Sequence, residues 1–206
     1  MSPRALAGPL LVLVVTVLTG CASDLVVRAP DTVVAPRPSP LADLAPLTIS
    51  IGAVEGAPDP REAVGERGGA FLQPGGPIYL TEAPARAVRR LVEETLSSSG
   101  HRVVPDGAEV HVALRLLEFR VDAPRDGAIW DVVARVGVSL RVSAAPGDEA
   151  WEELHSSSER SRRVAWRPGN TSVEAVLRAC LDDLAVVLAS RDEFAAALAT
   201  RARDRG

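Results

Sequence analysis

Trp130-Asp131-Val132-Val133-Ala134-Arg135-Val136-Gly137-Val138-Ser139-Leu140-Arg141-Val142 is the stretch that decides the fold. Trp130, Val132, Ala134, Val136, Val138, Leu140 and Val142 share one parity; Asp131, Arg135, Ser139 and Arg141 share the other. Side chains on a strand point alternately to its two faces, so this spacing predicts a long strand with one face in a core. Upstream, Val110, Val112, Leu114 and Leu116 alternate in the same way, but Leu117, Phe119 and Val121 continue on the opposite parity. That slip predicts a bulge near Leu116, or a strand buried on both faces. Downstream, Ala145-Pro146-Gly147-Asp148 predicts a hairpin turn. The following segment, Glu152 to Trp166, is mostly polar and belongs at a sheet edge.

Helical periods flank this β-rich centre. Ala87, Val88, Leu91, Val92, Thr95 and Leu96 form a stripe within a helix from about Thr81, as cap, to Ser99. Gly100 suits the left-handed exit from that helix, and His101-Arg102-Val103-Val104 re-enters sheet. Thr171-Ser172-Val173-Glu174 reads as a capping box, opening a helix with Val173, Val176, Leu177, Cys180, Leu181, Leu184, Val187 and Leu188 on one side. Ser190-Arg191-Asp192-Glu193 reads as a second box before a short helix with Phe194 and Leu198. The first strand is Leu47-Thr48-Ile49-Ser50-Ile51. Loop is expected through Glu55 to Arg61 and Val64 to Gly69, then a short edge strand at Pro77-Ile78-Tyr79-Leu80. The order β-α-β-β-β-β-α-α predicts an α+β two-layer sandwich: a mostly antiparallel sheet with two main helices on one face.

The amino-terminal part has a different composition. Arg4 precedes an apolar run from Pro9 to Leu18, too short to span a bilayer, and Leu18-Thr19-Gly20-Cys21 closes it. This order resembles the bacterial lipoprotein signal, which implies removal of residues 1–20 and lipid modification of Cys21. Ala22 to Pro46 carries prolines at 30, 36, 38, 40 and 46 and reads as a tether, able to extend roughly 80 Å as polyproline. Residues 47–200 form one α+β domain, and 201–206 a frayed tail. Ala22 and Ser23 follow the cysteine, with no aspartate in the second position, which points to the periplasmic face of the outer membrane. The inner membrane is the alternative.

Charge and composition exclude several classes. The formal charge of −4 becomes −5 once Arg4 leaves with residues 1–20, which argues against a nucleic-acid partner. All 23 basic residues are arginine, so lysine Schiff-base chemistry and the P-loop lysine are excluded. With Cys21 consumed by lipid, Cys180 has no disulfide partner and falls in a helical apolar stripe, where a thiol behaves as a small hydrophobe. His101, His111 and His155 have no Cys or carboxylate cluster at ligand spacing beside them, so no metal and no other cofactor is expected. The glycines of Val64-Gly65-Glu66-Arg67-Gly68-Gly69 lack the spacing of a nucleotide loop.

Two stretches are candidates for recognition. Asp59 and Arg61 stand just after the first strand, either as a recognition loop or as a turn cap. Arg160, Arg162, Arg163 and Arg167 can meet anionic lipid or an acidic partner, or can be the charge that keeps an edge strand soluble. Trp130 and Trp166 can fill a core or line a groove. An enzyme would need two carboxylates among Glu55, Asp59, Glu62 and Glu66 converging in a cleft.

The lipobox at Cys21, the proline-rich spacer, Leu47-Thr48-Ile49-Ser50-Ile51 leading to Asp59-Pro60-Arg61, Leu91-Val92-Glu93-Glu94 through Gly100, and the closing helix after Asn170 together resemble the YajG family of bacterial lipoproteins. The resemblance implies an envelope location and this fold, and no assigned reaction. The expectation is a non-enzymatic adaptor, held in the membrane by lipid and binding another envelope protein. Auxiliary lipoproteins of envelope transport systems have a comparable layout and are the alternative.

Overall fold

A computed structural model describes residues 24–29, 38–70, 74–148 and 153–204. The leader, Cys21, Trp151 and the last two residues lie outside these. The main sheet is built from β2 (Thr48–Glu55), β5 (Arg102–Val103), β6 (Val110–Asp122), β8 (Ile129–Ser143) and β9 (Leu154–Val164), in the order β5-β2-β6-β8-β9. β2 is parallel to β5 and β6, while β6, β8 and β9 form the antiparallel meander. Helices α1 (Pro84–Ser98), α2 (Asn170–Ala189) and α3 (Asp192–Asp204) complete an α+β architecture of sheet and helices.

The apolar parity of β8 faces the core throughout, and Gly137, Ser139 and Ser143 of the opposite parity are buried as well. Trp130, Val132, Ala134, Val136, Val138, Leu140 and Val142 are all buried. The slip in β6 is a bulge: the register with β8 shifts between Leu116 and Glu118, and Leu117 is left 50% exposed. β9 pairs with β8 alone, as its polarity required. At the turn between them, Asp148 N–H reaches Ala145 O at 3.2 Å with Gly147 at φ +89°, a conformation that Pro-Gly favours. α1 buries its expected stripe and ends at Gly100, φ +94°.

Other expectations are corrected. Ala22 to Pro46 is not wholly a spacer. β1 (Leu25–Val27) pairs in parallel with β4 (Gly76–Leu80), and Leu25, Val27, Ala29 and Leu41 are buried in the core. Val64 to Gly69 is not loop but contains β3 (Gly65–Arg67), antiparallel to β4. β4 is therefore the middle of a small β1-β4-β3 sheet, not an edge. β3 joins this sheet to the main one, since Val121 N–H donates to Val64 O (2.9 Å) and Ala123 N–H to Glu66 O (2.8 Å).

The helix starts also differ. α1 begins at Pro84 after Ala83 rather than at Thr81, because proline is tolerated in a first turn. The Thr171 box is not made. α2 starts two residues earlier, capped at Gly169 rather than Thr171, and Glu174 Oε1 instead accepts the Arg28 N–H (2.9 Å) while Asn170 Nδ2 donates to Val26 O (2.7 Å). Tertiary partners claim both side chains, and they clamp β1. Ser190 closes α2 and does not open α3, which begins at Asp192 and continues through Arg201 to Asp204, where a frayed tail was expected. Arg201 is tied to Asp204 at 3.0 Å.

The proline-rich segment is also fastened through His101, a buried histidine rather than a solvated one. Its Nδ1 accepts the Leu47 N–H (3.3 Å) and its Nε2–H donates to Leu41 O (3.1 Å), an arrangement that requires the neutral ring. Burial pushes its pKa below the ordinary 6.5, against the opposing pull of the Leu41 carbonyl. Burial moves His111 the same way. Below about pH 6.5 the unfolded chain therefore binds protons that the native state refuses. Stability is full above that pH and is lost as pH falls through the lowered folded values. The melting temperature is expected to be flat from about pH 8 to 7 and to drop below about 6.5. A His101→Gln variant should show a shallower drop; an unchanged slope would remove His101 as the cause.

Candidate functional site

A groove of about 830 Å³ lies where the β3–β4 hairpin meets the end of β6 and the short β7 (Arg125–Asp126). It exists because backbones approach closely there. A methyl at Gly68 would sit 2.8 Å from Arg125 N, and one at Gly75 would sit 2.5 Å from Arg67 O. Arg67, Arg120, Arg125, Glu66 and Asp122 supply its charged lining.

Each arginine is held in place. Arg67 is 6% exposed and donates through Nη1 to Pro168 O at 3.0 Å. Burial, and then the charge of Arg167, push its pKa down, yet a guanidinium stays charged near neutrality. Arg125 lies 5.2 Å from the ring centroid of Trp130 and donates to Gly127 O at 2.7 Å. The Trp130 indole N–H reaches Gly68 O at 3.4 Å. Arg120 pairs with Asp122, whose Oδ1 accepts the Glu66 N–H at 3.1 Å. Guanidinium donors on a rigid wall suit a carboxylate or phosphate group. Serine, cysteine and histidine, the usual nucleophiles and bases, do not line it.

The residues singled out in the sequence fall elsewhere. Asp59 caps a turn: its Oδ1 accepts the Arg61 N–H at 2.8 Å and its carbonyl the Glu62 N–H at 2.9 Å. Glu55, Asp59, Glu62 and Glu66 are all exposed; Glu66 lines the large groove and Glu55 a separate small pocket. Arg160, Arg162 and Arg163 do not form one patch. Arg160 and Arg162 pair across from buried Ala134 and Val132, on the helix-covered face, whereas Arg163 pairs across from Asp131 on the other. Arg160 makes a salt bridge to Asp183 of α2, so it fastens the edge strand to the helix. Trp130 is buried while Trp166 is 84% exposed, so they share neither core nor groove. Ser50 Oγ meets His111 Nδ1 at 3.0 Å, and His155 lies on β9, opposite Ser139. Among the described residues no three His, Cys, Asp or Glu side chains are grouped to hold a metal ion.

Cys180 is fully buried in the α2 stripe and donates its S–H to Ser158 O at 3.3 Å. Burial pushes its thiol pKa up. It is expected to react with a thiol reagent only as the domain unfolds. Rapid labelling of the native protein would show that the helix opens locally.

Sequence reasoning missed Arg67, Arg120 and Arg125. The available signal was the doubled glycines, Gly68-Gly69 and Gly75-Gly76, bracketing a hairpin too short to need both pairs for turning.

No family model matches the chain, and none of the curated proteins does. Solved structures do. Protein XCC0632 from Xanthomonas campestris, assigned to the family DUF330, is 12% identical with a TM-score of 0.61, over 87% of this chain and 99% of that one. A minor lipoprotein from Acinetobacter baumannii is 16% identical with a TM-score of 0.44, over 72% and 92% of the two chains. Lipoprotein GNA1162 from Neisseria meningitidis is 10% identical with a TM-score of 0.37, over 69% and 99%. The likeness to XCC0632 is one of fold, and a fold of this kind carries many functions.

Proposed function

We propose that this chain is a lipoprotein of the bacterial envelope, related to the YajG lipoproteins, lipid-anchored at Cys21 and facing the periplasm from the outer membrane. Its domain binds another envelope protein and catalyses no reaction. The observation that carries the binding role is the bulge at Leu116–Glu118. Bulges re-aim side chains, and this one turns a leucine onto the sheet face that carries Arg115, Arg141 and Glu159. There Leu117 stands beside Gly137, whose surroundings also include Ser157. An exposed apolar side chain among small residues, rimmed by charge, is the anatomy of a protein contact.

The test uses a photo-crosslinking residue introduced at position 117 in living cells. It should capture one envelope protein, and Leu117→Asp should abolish co-purification while leaving the melting temperature near wild type. A transporter subunit as the captured protein would make the chain an auxiliary component of envelope transport. Co-purification that Leu117→Asp leaves intact would overturn this face as the contact. For the anchor, Cys21→Ala is expected to move the folded protein from the outer-membrane fraction to the soluble periplasm; a wild-type protein found in inner membrane would overturn the sorting.

A further inference from the structure

We propose that the end of the domain bearing Trp166, Val26 and the mouth of the arginine groove lies flat on the bilayer that holds Cys21, with the Trp166 ring in the headgroup region. This rests on the lipid anchor of the preceding section and adds which surface meets the lipid.

A spacer of 25 residues, Ala22 to Pro46, would let the domain stand far from the membrane, but the described chain enters the fold next to β1 at Asp24, only three residues after Cys21. Three extended residues span at most about 11 Å. The direction of entry is fixed by register. Leu25 pairs with Ile78 in a parallel ladder, so the chain before Leu25 runs toward Pro77 and Gly76, at the start of β4. Gly76 pairs with Arg67, and all three residues line the arginine groove. The anchored end of β1 and the groove are therefore at one end of the molecule.

Trp166 belongs to that end. Its loop leads into Asn170, whose amide donates to Val26 O at 2.7 Å. Arg167, its neighbour, donates to Pro74 O at 3.1 Å in the hairpin, and Pro168 O accepts from Arg67 at 3.0 Å. Several hydrogen bonds thus hold this loop against the β3–β4 hairpin, while the indole itself is 84% exposed. An indole on a fixed loop has no packing reason to be there. Val26, on the outward parity of β1 and bonded through its carbonyl to Asn170, is 47% exposed.

Tryptophan partitions to the headgroup level of a membrane, with its ring among the upper acyl chains and its N–H in water. Arginines follow the same logic, with stems against apolar surface and guanidinium groups among phosphates. Arg120, Arg125, Arg162, Arg163 and Arg167 are near this end, but so are Glu66, Asp122, Asp126 and Asp131. The net charge there is small, so seating depends on the tryptophan and the short anchor rather than on attraction at a distance. One lipid attachment a few residues away keeps this face at high local concentration against the bilayer.

The test uses the full lipidated protein in vesicles of phosphatidylethanolamine and phosphatidylglycerol, with bromine on the upper acyl chain as a quencher of indole emission. Wild-type emission should fall in brominated vesicles, and Trp166→Phe should remove most of that fall while melting as wild type does. High salt should leave the quenching unchanged. Equal quenching of wild type and Trp166→Phe, in protein that floats with the vesicles, would overturn the proposed orientation and leave the anchor standing. Protein that carries no lipid on Cys21 by mass spectrometry, and does not float, would overturn the anchor and this orientation with it.

Discussion

A chain shortened to begin at Leu47, where the regular alternation starts, is expected not to fold. It would lack Leu25, Val27, Ala29 and Leu41, all buried at 5% exposure or less. Burial of a leucine or valine contributes about 1.5–3 kcal/mol, so the three larger side chains together contribute roughly 5–9 kcal/mol. The whole stability of a domain is about 5–15 kcal/mol. The shortened chain also loses the ladder to β4, the Thr81 N–H bond to Val27 O at 2.9 Å, and the bonds from Asn170 and Glu174. Far-UV circular dichroism on heating decides the matter. A cooperative transition within a few degrees of that of a chain retaining residues 22–46 would show that the segment is dispensable. Leu41→Ala, a milder version, is expected to lower stability by about 2–5 kcal/mol.

Gly65→Ala is expected to be the most damaging single methyl in the protein. A Cβ at Gly65 would lie 1.8 Å from the carbonyl oxygen of Val121 and 2.6 Å from its carbon. Both partners are backbone, so no side chain can rotate away. β3 would have to leave β6, breaking the Val121-to-Val64 and Ala123-to-Glu66 bonds and opening the arginine groove. We expect a loss of at least about 3 kcal/mol in urea unfolding, the upper range for overpacking. Gly147→Ala makes the comparison. Its Cβ would meet nothing within 4 Å, and only its φ of +89° opposes a side chain, so about 1–2 kcal/mol is expected. A Gly65→Ala variant as stable as Gly147→Ala would mean that β3 can shift without loss.

The sheet was legible because its signals are long. The apolar parity from Trp130 to Val142 is unbroken, and the change of parity at Leu116 and Leu117 marked either a bulge or a doubly buried strand, of which the structure has the bulge. β1 was not legible because three residues, Leu25-Val26-Val27, are too few to define a period, and prolines follow closely. β3 was hidden for a different reason. Gly65-Glu66-Arg67 has no β-branched or aromatic residue, and its place depends on close backbone approach rather than side-chain preference. The helix starts failed where tertiary contacts won: Glu174 has the spacing of a cap but binds Arg28 instead. The groove was the least legible of all. Arg67 is more than fifty residues from Arg120 and Arg125 and meets them only through β3, the strand that could not be read.

The clamp on β1 also sets an order of events. Arg28 waits for Glu174, 146 positions later in the chain. At about 5–20 residues per second of synthesis, that interval is roughly 7–30 s. Until the carboxyl-terminal third has emerged, the first strand has neither its helix nor its full ladder, and long-range closure of this kind is slow to form. Leu25, Val27 and Ala29 therefore stay without their full core for as long as the nascent chain is incomplete. Once α2 docks, the bonds from Asn170 and Glu174 close β1 into the fold. The moment at which the first strand is secured is written into the distance between that strand and the helix that holds it.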